Sequence, residues 1–162
     1  MTVEKELNNN DIQPWTAKVI TLFPEMFPGT LAHSLVGKAL KKDLWSLEVI
    51  NLRDFACDDR KTVDGPPAGG GAGLVLRADI LDQAITYLES NPHHDRKKWP
   101  IVALSPRGQV YGQKMAVNFS TCKGLTLICG RYEGFDERVL KFHKIPEVSI
   151  GDFIMSGGEI AA

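Results

Sequence analysis

Short, nearly continuous apolar segments that alternate with helix-like segments constrain the fold of this chain most strongly. Apolar runs occupy residues 17–22, 100–104 and 124–129, and further strand-like runs occupy residues 45–52 and 147–150. Strands that are apolar on both faces are typical of a parallel sheet, because helices then pack on both of its sides. The sequence therefore predicts an α/β domain in which a parallel sheet is covered by helices on both faces.

Four of the intervening segments have helical periodicity, and we predict helices at residues 30–43, 80–89, 113–118 and 135–142. In the first of these, one face carries Leu31, Leu35, Ala39 and Leu40, and in the second, one face carries Ile80, Leu81, Ala84, Ile85 and Leu88. We expect both faces to be buried. We also expect Asp79 to cap the second helix at its N-terminus.

The composition restricts the class of protein. A chain of 162 residues is long enough for one domain with a core, which we place at residues 16–162, after a loose polar leader at residues 1–15. There is no run of apolar residues long enough to span a membrane, and the leader has no apolar segment typical of a secretory signal. The three cysteines form no CxxC pair, which favours a reducing, cytoplasmic compartment over a disulfide framework.

Loops rich in glycine and proline follow three of the predicted strands. They are LSPRG at 104–108, GRYEG at 130–134 and IGDFIMSGGE at 150–159. The carboxyl ends of parallel strands meet at one edge of the sheet, where ligands bind in such folds. Ordinary turns would explain any one of these loops, but three at corresponding strand ends favour a ligand site. Apolar side chains in the first and third loops suit a flat heteroaromatic ring.

Three charged side chains in these loops are candidates for chemistry. Glu133 and Asp152 are carboxylates, which serve as a general base or hold a cationic ligand. Arg131 is suited to a phosphate or a carboxylate. Surface ion pairing is the alternative interpretation for all three.

The glycine-rich segment at residues 69–73 lies at the end of a long segment without periodicity, residues 53–73. It lacks the Gly-Lys-Ser/Thr ending of a phosphate-binding loop, so we expect a flexible loop with close backbone packing. The adjacent His93 and His94 do not share a helix face, and we expect them in a surface loop rather than in a metal site. The residues themselves predict no metal site.

The net charge of −1 provides no overall basic field, so contacts with nucleic acid require local basic patches. One patch combines Arg53 with Arg60 and Lys61, and another occupies residues 96–98. Solvated loop faces are the alternative interpretation for both patches.

Several long, ordered motifs together resemble one known family. They are LFPEMF at 22–27, RDF at 53–55, GGGAG at 69–73, LSPRG at 104–108, LICGRYEGFDERV at 127–139 and SIGDFIMSGGE at 149–159. From residue 17 to residue 160 the chain is similar to the bacterial tRNA (guanine-N1)-methyltransferases, the TrmD family of the SPOUT superfamily. The resemblance implies a deep trefoil knot in the C-terminal part of the domain. It also implies a homodimer whose subunits share each active site, and tRNA as the substrate, methylated at N1 of the guanosine directly 3′ of the anticodon.

The resemblance implies S-adenosylmethionine as the cofactor, with Mg²⁺ as an accessory in catalysis. Matched motif by motif, the cofactor-binding positions are Leu104, Ser105, Pro106, Gly130, Tyr132, Ile150, Gly151, Asp152, Phe153, Ile154, Met155, Gly157 and Gly158. Glu133 matches the acid on the guanine side, in a supporting role. The family's main general base and a partner arginine are expected beyond Ala162, so we expect these residues to bind the cofactor without efficient methylation. The predicted RNA-binding residues are Arg53, Arg60, Lys61 and Arg131.

Three alternatives stay open at this point. The first is another SPOUT enzyme, for instance one that methylates a ribose hydroxyl, although the GRYEG and SIGD motifs together disfavour it. The second is a catalytically inactive, dimeric SPOUT module that binds RNA, which cofactor binding would distinguish. The third is a nucleotide hydrolase that uses the glycine loop, which requires ATP binding.

Overall fold

The computed structural model describes residues 14–90 and 95–162. The predicted leader lies almost entirely outside the described residues, and the loop predicted at His93 and His94 lies outside them as well. The strands are β1 (Trp15–Thr21), β2 (Trp45–Asn51), β3 (Asp64–Gly65), β4 (Val75–Leu76), β5 (Ile101–Val110), β6 (Gly124–Cys129) and β7 (Glu147–Ser149). The helices are α1 (Ser34–Lys41), α2 (Ala78–Glu89), α3 (Gln113–Ser120) and α4 (Glu137–Phe142).

Five of the strands form one sheet in the order β2-β1-β6-β5-β7, and every neighbouring pair is parallel. In the centre of this sheet Ile20 of β1 lies opposite Ile50 of β2 and Ile128 of β6. The five predicted strands and their parallel arrangement are confirmed. All five carboxyl ends therefore lie at the same edge of the sheet.

One face of the sheet carries the main core. Ile20, Ile101 and Ile128 are buried there against α2 and α4. The predicted buried face of α2 is confirmed, since all five of its residues are buried. Side chains two residues apart along a strand point to the same face of the sheet. Apolar residues at these alternate positions therefore make this face apolar.

The opposite face of the sheet is covered less completely by the described residues. Val102, Leu125 and Val148 form a second cluster there, against which Met115 and Phe119 of α3 pack. Beside this cluster lies an apolar groove of about 440 Å³. Within the described residues, coverage of both faces by helices is therefore confirmed only in part.

The predicted helix at residues 30–43 is wrong in its continuity and in its buried face. The segment is split into a 3₁₀ helix, Gly29–Ala32, and helix α1. Ser34, the first residue of α1, has a φ of 55°, which interrupts the helical run, so that residues on either side no longer share one face. Leu31 and Leu35 are 39% and 78% exposed.

The predicted cap of α2 is also wrong. Arg77 occupies the N-cap position without a side-chain cap bond. The carboxylate of Asp79 instead accepts two hydrogen bonds from the Arg77 guanidinium, at 3.0 and 2.5 Å. This pairing holds the pKa of Asp79 below its ordinary value. An arginine two residues upstream is thus the main partner of this carboxylate.

The three cysteines, Cys57, Cys122 and Cys129, are free thiols. Burial is the main cause that raises the pKa of Cys129, and the nearby carboxylate of Glu159 adds to it. Cys129 is therefore a buried thiol, and its raised pKa lowers its reactivity. Among the helices of residues 14–90 and 95–162, none has the length and apolar character needed to cross a bilayer.

Strand β5 contains the feature that shapes the functional edge. Leu104 and Gln109 both lie opposite Val148 of β7, so residues 105–108 loop out between two stretches of the same pairing. The predicted strand ended at residue 104, whereas the observed strand resumes after the loop. Gly108 makes this return possible, because a Cβ at this position would lie 2.3 Å from the backbone carbon of Glu147.

Replacing Gly108 by alanine tests this close approach. We expect Gly108→Ala to lower the free energy of unfolding by about 1–3 kcal/mol, because the added methyl forces β5 and β7 apart. Gly112→Ala is the matched control, since its methyl meets no atom within 4 Å. Urea unfolding measures both, and equal stabilities of the two variants would contradict the close approach.

Candidate active site

A cavity of about 240 Å³ lies at the carboxyl edge of the sheet, between the looped-out residues 105–108 of β5 and the loops that follow β6 and β7. These are the three loops in which the sequence predicts a ligand site, and the structure brings them together. Every predicted cofactor-binding position except Asp152 lines the cavity. Asp152 is exposed and lies outside it. The role of the lining residues as cofactor ligands stays a prediction.

The walls of the cavity combine apolar side chains with peptide groups. Leu104 from the end of β5 is buried, whereas Phe153 and Ile154 on the rim are 54% and 87% exposed. Large apolar side chains that stay this exposed are more typical of a binding surface than of a core. The arrangement suits a flat, apolar ring with polar edges.

Closely packed glycines form the floor of the cavity. The N–H of Gly158 donates to the carbonyl oxygen of Gly130 at 2.9 Å, which joins the third loop to the second. A Cβ at Gly130 would lie 3.1 Å from the Leu104 carbonyl oxygen, and a Cβ at Gly158 would lie 2.8 Å from the Cα of Cys129. Side chains at these positions would therefore push the loops apart.

Glu133 is the carboxylate that lines the cavity, and the glycine loop packs against it. The Glu133 N–H donates to the carbonyl oxygen of Leu74 at 2.9 Å. Gly73 has a φ of +81°, and a Cβ on it would lie 2.5 Å from the Cγ of Glu133. The expectation of close packing in this loop is confirmed at Gly73 only, since a Cβ at Gly69 or Gly70 would meet no atom within 4 Å. Gly73 therefore packs against the side chain of the acid.

Tyr132 lies beside Glu133 and has polar neighbours from another part of the chain. Its φ is 58° and its side chain is 49% exposed. Its pKa is raised, chiefly by partial burial and further by the carboxylate of Asp64, while the guanidinium of Arg53 opposes the shift. The structure thus places Arg53, a predicted RNA-binding residue, near Tyr132, although Arg53 itself does not line the cavity. Sequence reasoning missed Asp64, because β3 lies within the long segment without periodicity at residues 53–73.

Arg107 also lines the cavity and was missed, although it belongs to the LSPRG motif. Its guanidinium donates to Glu137 Oε1 at 2.8 Å and lies 3.6 Å from Glu147 Oε2. The pKa of Glu137 is lowered by its hydrogen bond from Lys141 and, to a smaller extent, by Arg107. These groups are largely exposed, so the ion pairs add little to stability.

The predicted RNA-binding residues fall into two places. In the first, the Arg53 Nη1 donates to the carbonyl oxygen of Lys61 at 3.3 Å, and Lys61 pairs with Asp54 at 3.3 Å. Arg60 is exposed in the same loop. Arg131 lies apart, with its Nε 2.9 Å from a carboxylate oxygen of Glu159. Sequence reasoning gave no indication of this partner, which is far along the chain.

Across residues 14–90 and 95–162, no group of three or more His, Cys, Asp or Glu side chains is placed to hold a metal ion.

Comparison with known proteins identifies one family. The family model described as tRNA (Guanine-1)-methyltransferase TrmD matches residues 16–162. The match covers all of the strands and helices given above except the first residue of β1.

Three similar curated proteins have the name tRNA (guanine-N(1)-)-methyltransferase. The protein of Cereibacter sphaeroides strain KD131 is 54% identical over 148 residues, which are 91% of this chain and 59% of the relative. The protein of Ruegeria sp. strain TM1040 is 55% identical with the same coverage. The protein of Roseobacter denitrificans is 48% identical over 162 residues, which are 100% of this chain and 64% of the relative. The chain thus spans about three fifths of the length of these relatives.

Replacing Gly73 by alanine tests the contact between the glycine loop and Glu133. We expect Gly73→Ala to lower the free energy of unfolding by ~1–2 kcal/mol, because its φ is unfavourable for any side chain. We also expect Glu133 to be displaced, since the methyl would overlap its Cγ. Gly69→Ala is the control, as it meets no atom within 4 Å. Urea unfolding and a crystal structure of Gly73→Ala measure the two effects, and an unmoved Glu133 would contradict the second.

Proposed function

Since the chain belongs to the tRNA (guanine-1)-methyltransferase family, we propose that it forms the cofactor-binding part of an enzyme that methylates tRNA. The proposed reaction transfers a methyl group to N1 of the guanosine directly 3′ of the anticodon. The observation that carries this proposal is the convergence of three of the family's motifs, at 104–108, 127–139 and 149–159, on one cavity. The chain covers 59% of the length of the Cereibacter sphaeroides relative, so the activity of the whole protein is proposed for it.

S-adenosylmethionine is the cofactor that we propose for the cavity, and the residues present fit it. Leu104, Phe153 and Ile154 offer apolar surface for the adenine ring, and the backbone of the glycine loops offers polar groups to its edge. The glycine floor supports this fit, since a Cβ at Gly157 or Gly158 would meet neighbouring atoms at 2.3 to 2.8 Å. When bound, the cofactor supplies a methyl group carried on a sulfonium cation.

The residues around Glu133 are proposed to hold the guanine. N1 of guanine carries a proton, so methylation requires a base close to N1 and a group that holds the ring in place. Glu133 lines the cavity and is fixed by Gly73 and Leu74, which suits it to holding the guanine in a supporting role. We propose that the main general base corresponds to a residue in the part of the relatives that does not match this chain. The target base must also leave its stack to reach the cavity.

We also propose that the C-terminal segment of the chain is threaded as a trefoil knot. The path of the chain supports this. Residues 150–158 run from β7 at the edge of the sheet back to its centre, where the Gly158 N–H donates to Gly130 at the end of β6. An experimental structure in which this segment passes outside the neighbouring loops would contradict the knot.

A homodimer with shared active sites is the proposed assembly. The apolar groove on the second sheet face and the exposed Leu35, Val36 and Leu44 support it, since such surface is typical of interfaces. Sedimentation equilibrium that gives the mass of one protomer would contradict this assembly.

The described residues do not fit an Mg²⁺ site formed by side-chain clusters, so we assign no step of the reaction to this ion. We place the protein in the cytoplasm because tRNA is the proposed substrate. An inactive RNA-binding module is not favoured, since the matched relatives have the name of an enzyme.

Cofactor binding is the first test of the proposed function. We expect the 162-residue chain to bind S-adenosylhomocysteine, the product of the cofactor, when titrated in a calorimeter. We expect single-turnover methylation of an unmodified tRNA transcript to be at least about 100-fold slower than for the longer Cereibacter relative, because a missing general base costs 10²–10⁴ in rate. Absence of heat with S-adenosylhomocysteine would contradict the cofactor site, and equal rates would contradict the outside base.

The basic loop is tested by the salt dependence of tRNA binding. The binding constant K for tRNA falls as the salt concentration rises, and log K is linear in log salt. If Arg60 and Lys61 contact phosphates, replacing both by glutamine makes this negative slope shallower by about two. The control is the pair Lys41→Gln and Lys42→Gln at the end of α1, which is expected to leave the slope unchanged. An unchanged slope for the loop variant would remove Arg60 and Lys61 from the interface.

A further inference from the structure

A buried carboxylate lies directly behind the cavity and has no role in the proposed chemistry. The side chain of Glu159 has 0% exposure. Its Oε1 accepts a hydrogen bond from the Thr21 hydroxyl at 2.8 Å, and its Oε2 accepts one from Arg131 Nε at 2.9 Å. A buried charge is unfavourable unless it is paired and hydrogen-bonded, and both of its oxygens meet this requirement.

The partner arginine is fixed on several sides. Besides its bond to Glu159, Arg131 donates from Nη1 to the carbonyl oxygen of Ser156 at 3.0 Å. Its guanidinium also lies 4.4 Å from the centre of the Phe23 ring. Only 19% of its side chain is exposed. The charge and the planar face of the Arg131 guanidinium are therefore both in contact with groups of the protein itself.

These contacts join three separate parts of the chain. Thr21 and Phe23 belong to the end of β1, and the Thr21 Oγ1 also accepts from the Phe23 N–H at 2.9 Å. Arg131 belongs to the loop after β6, and Glu159 to the 3₁₀ helix Gly158–Ile160. The end of β1 does not line the cavity, but it is connected in this way to two loops that do.

The ion pair is in direct contact with the backbone of the cavity. A Cβ at Gly157 would lie 2.3 Å from Arg131 Nε and 2.5 Å from Glu159 Oε2, so Gly157 packs onto the pair itself. The next residue, Gly158, donates to Gly130 across the floor. The position of the pair therefore determines how closely the second and third loops approach each other.

We propose that Arg131 and Glu159 are positioning residues for the cofactor, acting through Gly157 and Gly158, with Thr21 holding the carboxylate in place. The inference rests on the proposed function of the cavity. It assigns Arg131 to the shape of the cofactor site rather than to a phosphate of the RNA. Small displacements of a binding wall reduce affinity strongly, because a site must be held close to its productive geometry by the groups behind it.

The test separates positioning from stability. Removing one partner of a buried pair leaves an uncompensated charge, whereas removing both often restores stability. We therefore compare Arg131→Met combined with Glu159→Gln, which keeps the volume and the acceptor for Thr21, with the parent chain. Urea unfolding measures stability, and calorimetry with S-adenosylhomocysteine measures affinity. We expect the double variant to be folded and its dissociation constant to rise about tenfold.

A second pair of variants tests the inference without touching either charge. Thr21→Val removes the hydroxyl while keeping the shape of the side chain, and Thr21→Ser restores the hydroxyl. We expect the dissociation constant for S-adenosylhomocysteine to rise about threefold in the valine variant and to return to the parent value in the serine variant. A general packing effect would not follow the hydroxyl in this way.

The control is another arginine–carboxylate pair, Arg138 with Asp136, which lies at the start of α4 and outside the cavity. Arg138→Met combined with Asp136→Asn is expected to leave the affinity unchanged. If the parent chain binds S-adenosylhomocysteine and both the double variant and Thr21→Val bind it equally well, the positioning role is overturned. It is also overturned if Arg131→Met lowers the salt slope of tRNA binding by about one.

If the parent chain itself does not bind S-adenosylhomocysteine, the proposed function fails first.

Discussion

The burial of the Glu159 carboxylate is the constraint on which the functional edge of this domain depends. A charge removed from water requires fixed partners, and here they come from the end of β1 and from the loop after β6. The arginine of that loop is held in turn by the carbonyl oxygen of Ser156. Partners that are far apart in sequence must therefore occupy their places together. The glycine-lined cavity lies against this network, so its floor is connected through Arg131, Glu159 and Thr21 to the end of β1.

Much of the architecture could be predicted from the sequence, because local pattern and tertiary packing agree there. The apolar runs of β5 and β6 are buried in the sheet centre, and the periodicity of α2 correctly identifies its buried face. The agreement fails at α1. Periodicity assumes an unbroken helix, and the positive φ of Ser34 breaks it. The buried residue of α1 is Gly37, which packs closely against the backbone of Ala32, and a hydrophobic pattern does not contain such a contact.

The candidate site could also be predicted only in part. Loops at the ends of parallel strands must converge, so their grouping followed from the predicted topology, and the cavity lies where they meet. Individual side chains were harder to place. Asp152 belongs to a converging loop but is exposed outside the cavity, and Arg131 is turned towards Glu159. Such contacts depend on side-chain directions and on residues far along the chain, which a sequence pattern does not encode.

The loop at residues 105–108 is held in an unusual way, since the residues on both of its sides, Leu104 and Gln109, lie opposite the same residue, Val148. A loop whose two ends are fixed to one partner cannot swing as a lid about a single hinge. Its conformational entropy is lost when the sheet forms, not when a ligand arrives. Any ligand bound there should consequently meet a wall already in place, and its rate of entry should depend on the rims formed by the other two loops.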